Sequence, residues 1–258
     1  MNLVTADRAR PPGASAVLEL RDLAIRAPGR VLVDGVNIDV HPGAVTALCG
    51  PSGAGKSLTA RACMGVLDVS PGLFRGSLRF PALSSKDWFA DVVGKGARAQ
   101  ATLLRESESL RGGYLSYSPQ AASSALNPGR TIGRQIEMAI ARRATPVPAA
   151  DLGGLIRELL DEVGLQPYVA TSLPGELSGG MCQRAALAIA IAPDPRVLLA
   201  DEPETGLDPV LRRQIVELLV QVGKAHSCGI LLISHHEDTV ERIADNVIRL
   251  TPVHGGGE

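Results

Sequence analysis

Residues 50–57 read GPSGAGKS: a glycine, four residues, then Gly55, Lys56 and Ser57. That spacing belongs to a loop whose successive backbone N–H groups turn inward around a phosphate chain. In such a loop Lys56 reaches the β and γ oxygens, the Ser57 hydroxyl ligates Mg²⁺, and glycine lets the backbone come close. The flanks agree. AVTALCG (44–50) is an apolar strand entering the loop, and KSLTARACMGVL (56–67) is a helix leaving it, its N-terminus aimed at the anion. The candidate cradle is Gly50, Pro51, Ser52, Gly53, Ala54, Gly55, Lys56, Ser57 and Leu58. A glycine-rich turn with no ligand is the plainer alternative for the stretch taken alone.

The bulk numbers set the frame. The chain has 258 residues and 45% hydrophobic content, enough for one large α/β domain or a core plus a subdomain. Its net charge is −1 and it carries no long basic run, so no nucleic-acid partner is expected. Cys49, Cys63, Cys182 and Cys228 form no CxxC pair and read as small buried thiols in a reducing compartment. Residues 1–16 lack the apolar core of a signal peptide and read as a flexible arm, leaving 17–258 as the folded unit. The longest apolar run, AALAIAIA (185–192), is far short of the ~18 residues a membrane span needs. The expectation is a soluble, cytoplasmic protein that meets a membrane only through partners.

Along the chain, VLELRDLAIRA (17–27) and VLVDGVNIDV (31–40) alternate around Pro28-Gly29 and predict an antiparallel pair. SPGLFRGSLRFP (70–81) adds a turn and a short strand, and residues 82–110 read as a polar surface excursion between strands, with helical character in 103–113. YLSYSPQ (114–120) is a strand ending in a polar residue. Ile132, Ile136 and Ile140 mark an amphipathic helix within 122–144, and Leu155, Leu159 and Val163 mark another within 151–165. Residues of about 121–180 therefore form a helical insertion. RVLLADE (196–202) and GILLISH (229–235) are near-continuous apolar strands joined by a helix over 209–225, the mark of a parallel sheet buried on both faces. Such sheets gather chemistry at the carboxyl ends of their strands, where Gly50, Gln120, Asp201, Glu202 and His235 fall.

Asp201 closes its strand where a phosphate-loop enzyme holds Mg²⁺ opposite Ser57; a helix-capping Asp is the alternative for a lone residue. Glu202 beside it is placed to orient or deprotonate a water, or else is a solvated surface carboxylate. In LSGGMCQR (177–184), Ser178 caps a helix whose first turn is Gly179-Gly180. Two glycines there cost up to about 1 kcal/mol each, a cost that makes sense where backbone N–H groups face an anion. His235, His236 and Glu237 offer a metal-binding alternative, but adjacent positions on one short turn rarely converge on one ion, so no metal site is expected there.

GPSGAGKS, the glutamine of YSPQ, LSGGMCQR, VLLADEP and ISH, in this order, resemble the ATP-binding subunit of ABC transporters over roughly 17–250. The resemblance implies an α/β fold with a RecA-like P-loop NTPase core built on a parallel sheet, an antiparallel β subdomain and a helical subdomain. It implies ATP and Mg²⁺ at the interface of a head-to-tail dimer. Gln120 would then be a catalytic-site glutamine touching Mg²⁺ beside Ser57 and Asp201, Glu202 the catalytic base, and His235 the switch histidine near the γ-phosphate. Asp208 would end the loop that crosses to the partner, and Ser178, Gly179 and Gly180 would serve the partner's nucleotide. Implied partners are a second ATPase subunit of the same or related sequence, two transmembrane permease subunits and, indirectly, an extracytoplasmic substrate-binding protein. The implied location is the cytoplasmic face of the cell membrane.

GKSLT, SSALNPGRTIGRQI and SGGM are similar to the dipeptide, oligopeptide and nickel importer branch, and the short chain after His235 is similar to the nickel or metal-chelate subunits. Four departures stand out. IRAPGR (25–30) has no aromatic to stack adenine, leaving Ile25 or Arg26 for the base. Glu204 and Gly206 replace the usual Thr or Ser and Ala of the crossing loop. The 82–110 excursion is long for the pattern, and a final strand pair is expected to be missing after VIRLTPVHGGGE. Two other classes compete: a soluble ABC-type ATPase on DNA or ribosomes, which usually carries a coiled-coil insertion or tandem copies, and a small-molecule kinase, in which LSGGMCQR has no place.

Overall fold

The computed structural model describes residues 15–120 and 125–253. In chain order its elements are β1 (Leu18–Ala27), β2 (Arg30–Val40), β3 (Val45–Cys49), α1 (Lys56–Cys63), β4 (Gly72–Arg79), α2 (Gly96–Glu106) and β5 (Leu115–Ser118). Then follow α3 (Ile132–Ile140), α4 (Leu152–Glu162), α5 (Gly179–Ile191), β6 (Val197–Asp201), α6 (Pro209–Ala225), β7 (Gly229–Ile233), α7 (Glu237–Ile243) and β8 (Asn246–Arg249).

Two sheets result. β2, β1 and β4 form an antiparallel sheet in that order, and β5-β6-β7-β3-β8 form a sheet whose every pairing is parallel. The parallel strands are short apolar runs buried along their whole length, and the two-residue period of a strand sends alternate side chains into two cores. On β7, Ile230 and Leu232 join a cluster with α3, α4, α5 and α6. Leu231 and Ile233, one position along, join a cluster with the antiparallel sheet and α1. The sheet is thus the shared wall between a helical layer and an antiparallel β layer. Leu48 and Asp201 both pair with Ile233, so the carboxyl ends of β3, β6 and β7 lie level at one edge.

The helical insertion owes its shape to spacing. Ile132, Ile136 and Ile140 are all buried on one face of α3, with Thr131 capping its start through the Arg134 N–H. Leu159 and Val163 are buried likewise, on α4 and at its end. Part of the predicted helical stretch, 121–124, lies outside the described residues, as do residues 1–14 of the expected arm. Its last residue, Ala16, is 3% exposed, so the folded unit begins before Val17.

Two expectations are corrected, and one strand is added. The first helix stops at Cys63, not at 67, because Gly65 turns to a φ of 69° and the Met64 and Gly65 N–H groups bond back onto the last turn. The 82–110 excursion is part of the core: Phe89 is fully buried, and Leu103 and Leu110 pack beside it. Its apolar residues are spaced widely among polar ones, which hides the buried stripe from a local reading. β8 went unforeseen; its four residues complete the parallel sheet against β3.

Candidate nucleotide site

The GPSGAGKS loop leaves β3 and wraps over the start of α1. Gly55, the residue before the helix, has a φ of 92°, and a Cβ there would lie 2.6 Å from Val33 Cγ2 and 3.1 Å from the Leu32 carbonyl. Gly50 is tighter still, with the Leu250 carbonyl where its Cβ would fall. Both positions demand glycine, on conformation and on space. Beside the loop opens a cavity of about 880 Å³, the size of a small-molecule site.

Ser52, Gly53, Gly55, Lys56, Ser57 and Leu58 line that cavity together with Gln120, Glu202 and His235. Gly50, Pro51 and Ala54 are not among the lining residues; Pro51 is exposed and Ala54 buried. Lys56 is 6% exposed, and its Nζ donates to the carbonyls of Gly50 at 2.8 Å and Pro51 at 3.1 Å. Asp201 lies behind this wall. It accepts from Ser57 Oγ at 3.2 Å through one oxygen and from Tyr117 Oη at 3.1 Å through the other. Burial pushes its pKa up, and the Tyr117 and Ser57 hydrogen bonds pull it back. Burial, with the Asp201 charge alongside, also pushes the Tyr117 phenol up to about 12, which keeps it a donor.

Glu202 is the point of convergence. Its Oε2 accepts from Gln120 Nε2 at 3.2 Å and from Thr205 Oγ1 at 3.1 Å, and faces His235 Nδ1 at 3.2 Å. Its backbone sits at a φ of 46°, a left-handed conformation that a non-glycine residue pays for and that recurs at functional sites. Gln120 therefore stands against the carboxylate. The His236 ring lies tilted by 42° against that of His235, centroids 4.0 Å apart, and burial, then the His235 charge and Arg212, lower its pKa. No group of three His, Cys, Asp or Glu side chains among the described residues could hold a metal ion by itself.

Ser178, Gly179 and Gly180 are not among the residues lining this cavity. Ser178 caps α5 as its sequence predicts, its hydroxyl accepting from the Met181 N–H at 3.3 Å. Asp208 caps α6 by accepting from Val210 and Leu211. The two residues left for adenine do not reach the cavity: Ile25 is wholly buried in the core, and Arg26 stacks on Phe74 at 3.5 Å. Arg30, Val31 and Leu32 on one side and Pro252 and Val253 on the other line it instead. Sequence reasoning missed Tyr117, Thr205 and Ser234. Their signal was position alone, next to motifs at the ends of β5, β6 and β7.

The glycine-enforced cradle fits a phosphate chain, and Ser57 Oγ and Asp201 Oδ1 are hard oxygen donors of the kind Mg²⁺ takes. A phosphate loop at the carboxyl edge of a parallel sheet, flanked by an antiparallel sheet and a helical layer, defines a RecA-like P-loop nucleotide-binding cassette. The chain belongs to the ABC transporter family, whose sequence profile matches residues 33–205. It is 34% identical over 214 residues to the oligopeptide transport ATP-binding protein OppD of Lactococcus lactis subsp. cremoris, a match covering 82% of this chain and 59% of that protein. It is 34% identical over 239 residues to the nickel import ATP-binding protein NikD of Pseudomonas putida, covering 90% and 83%. Among solved structures, cbiO1 of Clostridium perfringens, part of the ABC transporter complex cbiONQ, shares the fold with a TM-score of 0.72 at 24% identity, covering 92% of this chain and 85% of that one. No helix among the described residues is long and apolar enough to cross a membrane.

Proposed function

We propose that this chain is the ATP-hydrolysing subunit of an ABC importer for nickel, another metal chelate or peptide. The observation that carries the reading is the convergence of Gln120, Thr205 and His235 on the Glu202 carboxylate at the wall of the phosphate-loop cavity. A carboxylate so held can orient a water for in-line attack on the γ-phosphate and accept its proton. The loop N–H groups and Lys56 bind the β- and γ-phosphates, and His235 binds the γ-phosphate beside Glu202. Mg²⁺ held by Ser57, Asp201 and Gln120 would neutralise charge building on the phosphate oxygens.

The site is half of a pair. Ser178, Gly179 and Gly180 lie off the cavity, and a Cβ on Gly179 would meet nothing within 4 Å in its own chain. Glycine there answers to something outside the chain, and the phosphate of a second subunit's ATP fits the helix N-terminus. Closure of two such subunits on ATP pulls on two membrane permeases, and hydrolysis reopens them. An extracytoplasmic binding protein delivers the cargo. The subunit works at the cytoplasmic face of the membrane, held there by the permeases, and nucleic acid has no part in it.

Glu202→Gln tests the scheme. Removing the base is expected to lower phosphate release by at least ~100-fold while nucleotide binding persists and an ATP-bound dimer accumulates. Phosphate release at the unsubstituted rate would remove Glu202 from this role.

A further inference from the structure

One carboxylate on the loop that runs from Glu202 to Asp208 is wholly buried. Glu204 has no exposed surface; its Oε1 accepts a short hydrogen bond from the Ser234 hydroxyl, and its Oε2 is buried without a hydrogen-bond partner among the described residues. Ser234, 1% exposed, in turn accepts from the His236 N–H at 3.0 Å. A carboxyl group is expensive to bury half-satisfied, and packing alone does not call for one here. Burial pushes its pKa up, against the pull of the Ser234 hydrogen bond.

What this bond joins is the point. Glu204 lies two residues after Glu202 on the loop that runs to Asp208, and Ser234 lies one residue before His235. Arg212 of α6 makes a second tie, its guanidinium donating to the Leu207 carbonyl at 3.4 Å and lying 3.5 Å from His236 Nδ1. The two loops also meet through the Glu202 and His235 side chains and through the bond from the Glu202 N–H to the Ile233 carbonyl at 2.9 Å.

We infer that Glu204 is a positioning residue: through Ser234 it straps the loop that ends at Asp208 to the His235 loop and so holds His235 against Glu202. The inference rests on the ATPase reading above. A Thr or Ser in its place would have to span the same gap with a shorter side chain.

The test uses the full chain with Glu204→Ala, Ser234→Ala, the double variant and Glu204→Gln, whose amide oxygen still accepts from Ser234. Three readouts are taken: hydrogen exchange at the His236 amide, affinity for a fluorescent ATP analogue, and single-turnover phosphate release. Each alanine variant is expected to speed His236 exchange and to slow turnover about tenfold, with affinity changed less than about twofold, as befits a misplaced catalytic group. The double variant is expected to be no slower than either single one, and Glu204→Gln to recover turnover to within about threefold of the parent. Multiplying defects in the double variant, unchanged His236 exchange, or a Glu204→Gln chain as slow as Glu204→Ala would each overturn the strap. Should Glu204→Ala fail to fold, Ser234→Ala and Glu204→Gln carry the comparison. A parent chain that fails to bind the ATP analogue sinks the ATPase reading instead, while the exchange data still judge the strap.

Discussion

Tyr117 places its hydroxyl against the inner oxygen of Asp201, and nothing in YSPQ announces that contact. The side chain is 37% exposed, and its phenol is held as a donor by burial and by the carboxylate it serves. With the other Asp201 oxygen on Ser57, the carboxylate is oriented from both sides. Tyr117→Phe removes one donor and lets burial raise the Asp201 pKa further. The Mg²⁺ concentration for half-maximal ATPase is expected to rise about three- to tenfold, the range of a single hydrogen bond, with the Tm nearly unchanged. A magnesium titration measures it, and an unchanged midpoint would leave Tyr117 outside the site. Lys56, Ser57, Asp201, Glu202 and His235 were legible because each sits inside a spaced motif. Tyr117, Thr205 and Ser234 were not, because a lone hydroxyl has no periodicity and acquires meaning only from its partner: for Tyr117 and Ser234 one reached from another strand end, for Thr205 the Glu202 carboxylate of its own loop.

At the scale of elements, α5 shows how local chemistry and distant purpose combine. Its start follows from Ser178, whose hydroxyl takes the Met181 N–H, and its end from the approach to Pro193. Between them Cys182, Ala185, Ala188 and Ile191 pack into the helical core, so the body of the helix is secured by burial and its first turn is not. Ser178→Ala is expected to cost about 1 kcal/mol of stability by loss of the cap. For a chain of this size that lowers the Tm by about 2–4 °C, read by thermal melting. If the proposed dimer is correct, the same variant also weakens ATP-driven association, so ATPase should fall by more than stability alone accounts for. The boundaries of α6 were read without error because Asp208, Pro209 and the terminal Lys224 are local signals. The excursion after β4 was misread because Phe89 and Leu103 are buried by partners far away in sequence.

At the scale of the whole molecule, the site assembles at one edge of the parallel sheet while the start of α5 points elsewhere. On the proposed pairing, one chain supplies the nucleotide cradle and a second chain completes the site. The isolated chain is expected to bind ATP and to hydrolyse it slowly, with specific activity rising as protein concentration rises. Brisk turnover per chain that stays constant on dilution would count against the paired-site scheme. The sequence by itself determined the α/β class, the phosphate loop, the order of the motifs and the elements whose ends carry caps or prolines. These are local properties, set by spacing, by backbone freedom at glycine and by the period of the apolar residues. Only the tertiary structure decided that Glu202 is gripped by Gln120, Thr205 and His235, that Ile25 and Arg26 turn away from the cavity, and that Glu204 is buried against Ser234. Apart from the Thr205 contact, which is local, those outcomes depend on strand order and register, which bring residues distant in the chain level at one sheet edge, and no short window of sequence contains that information.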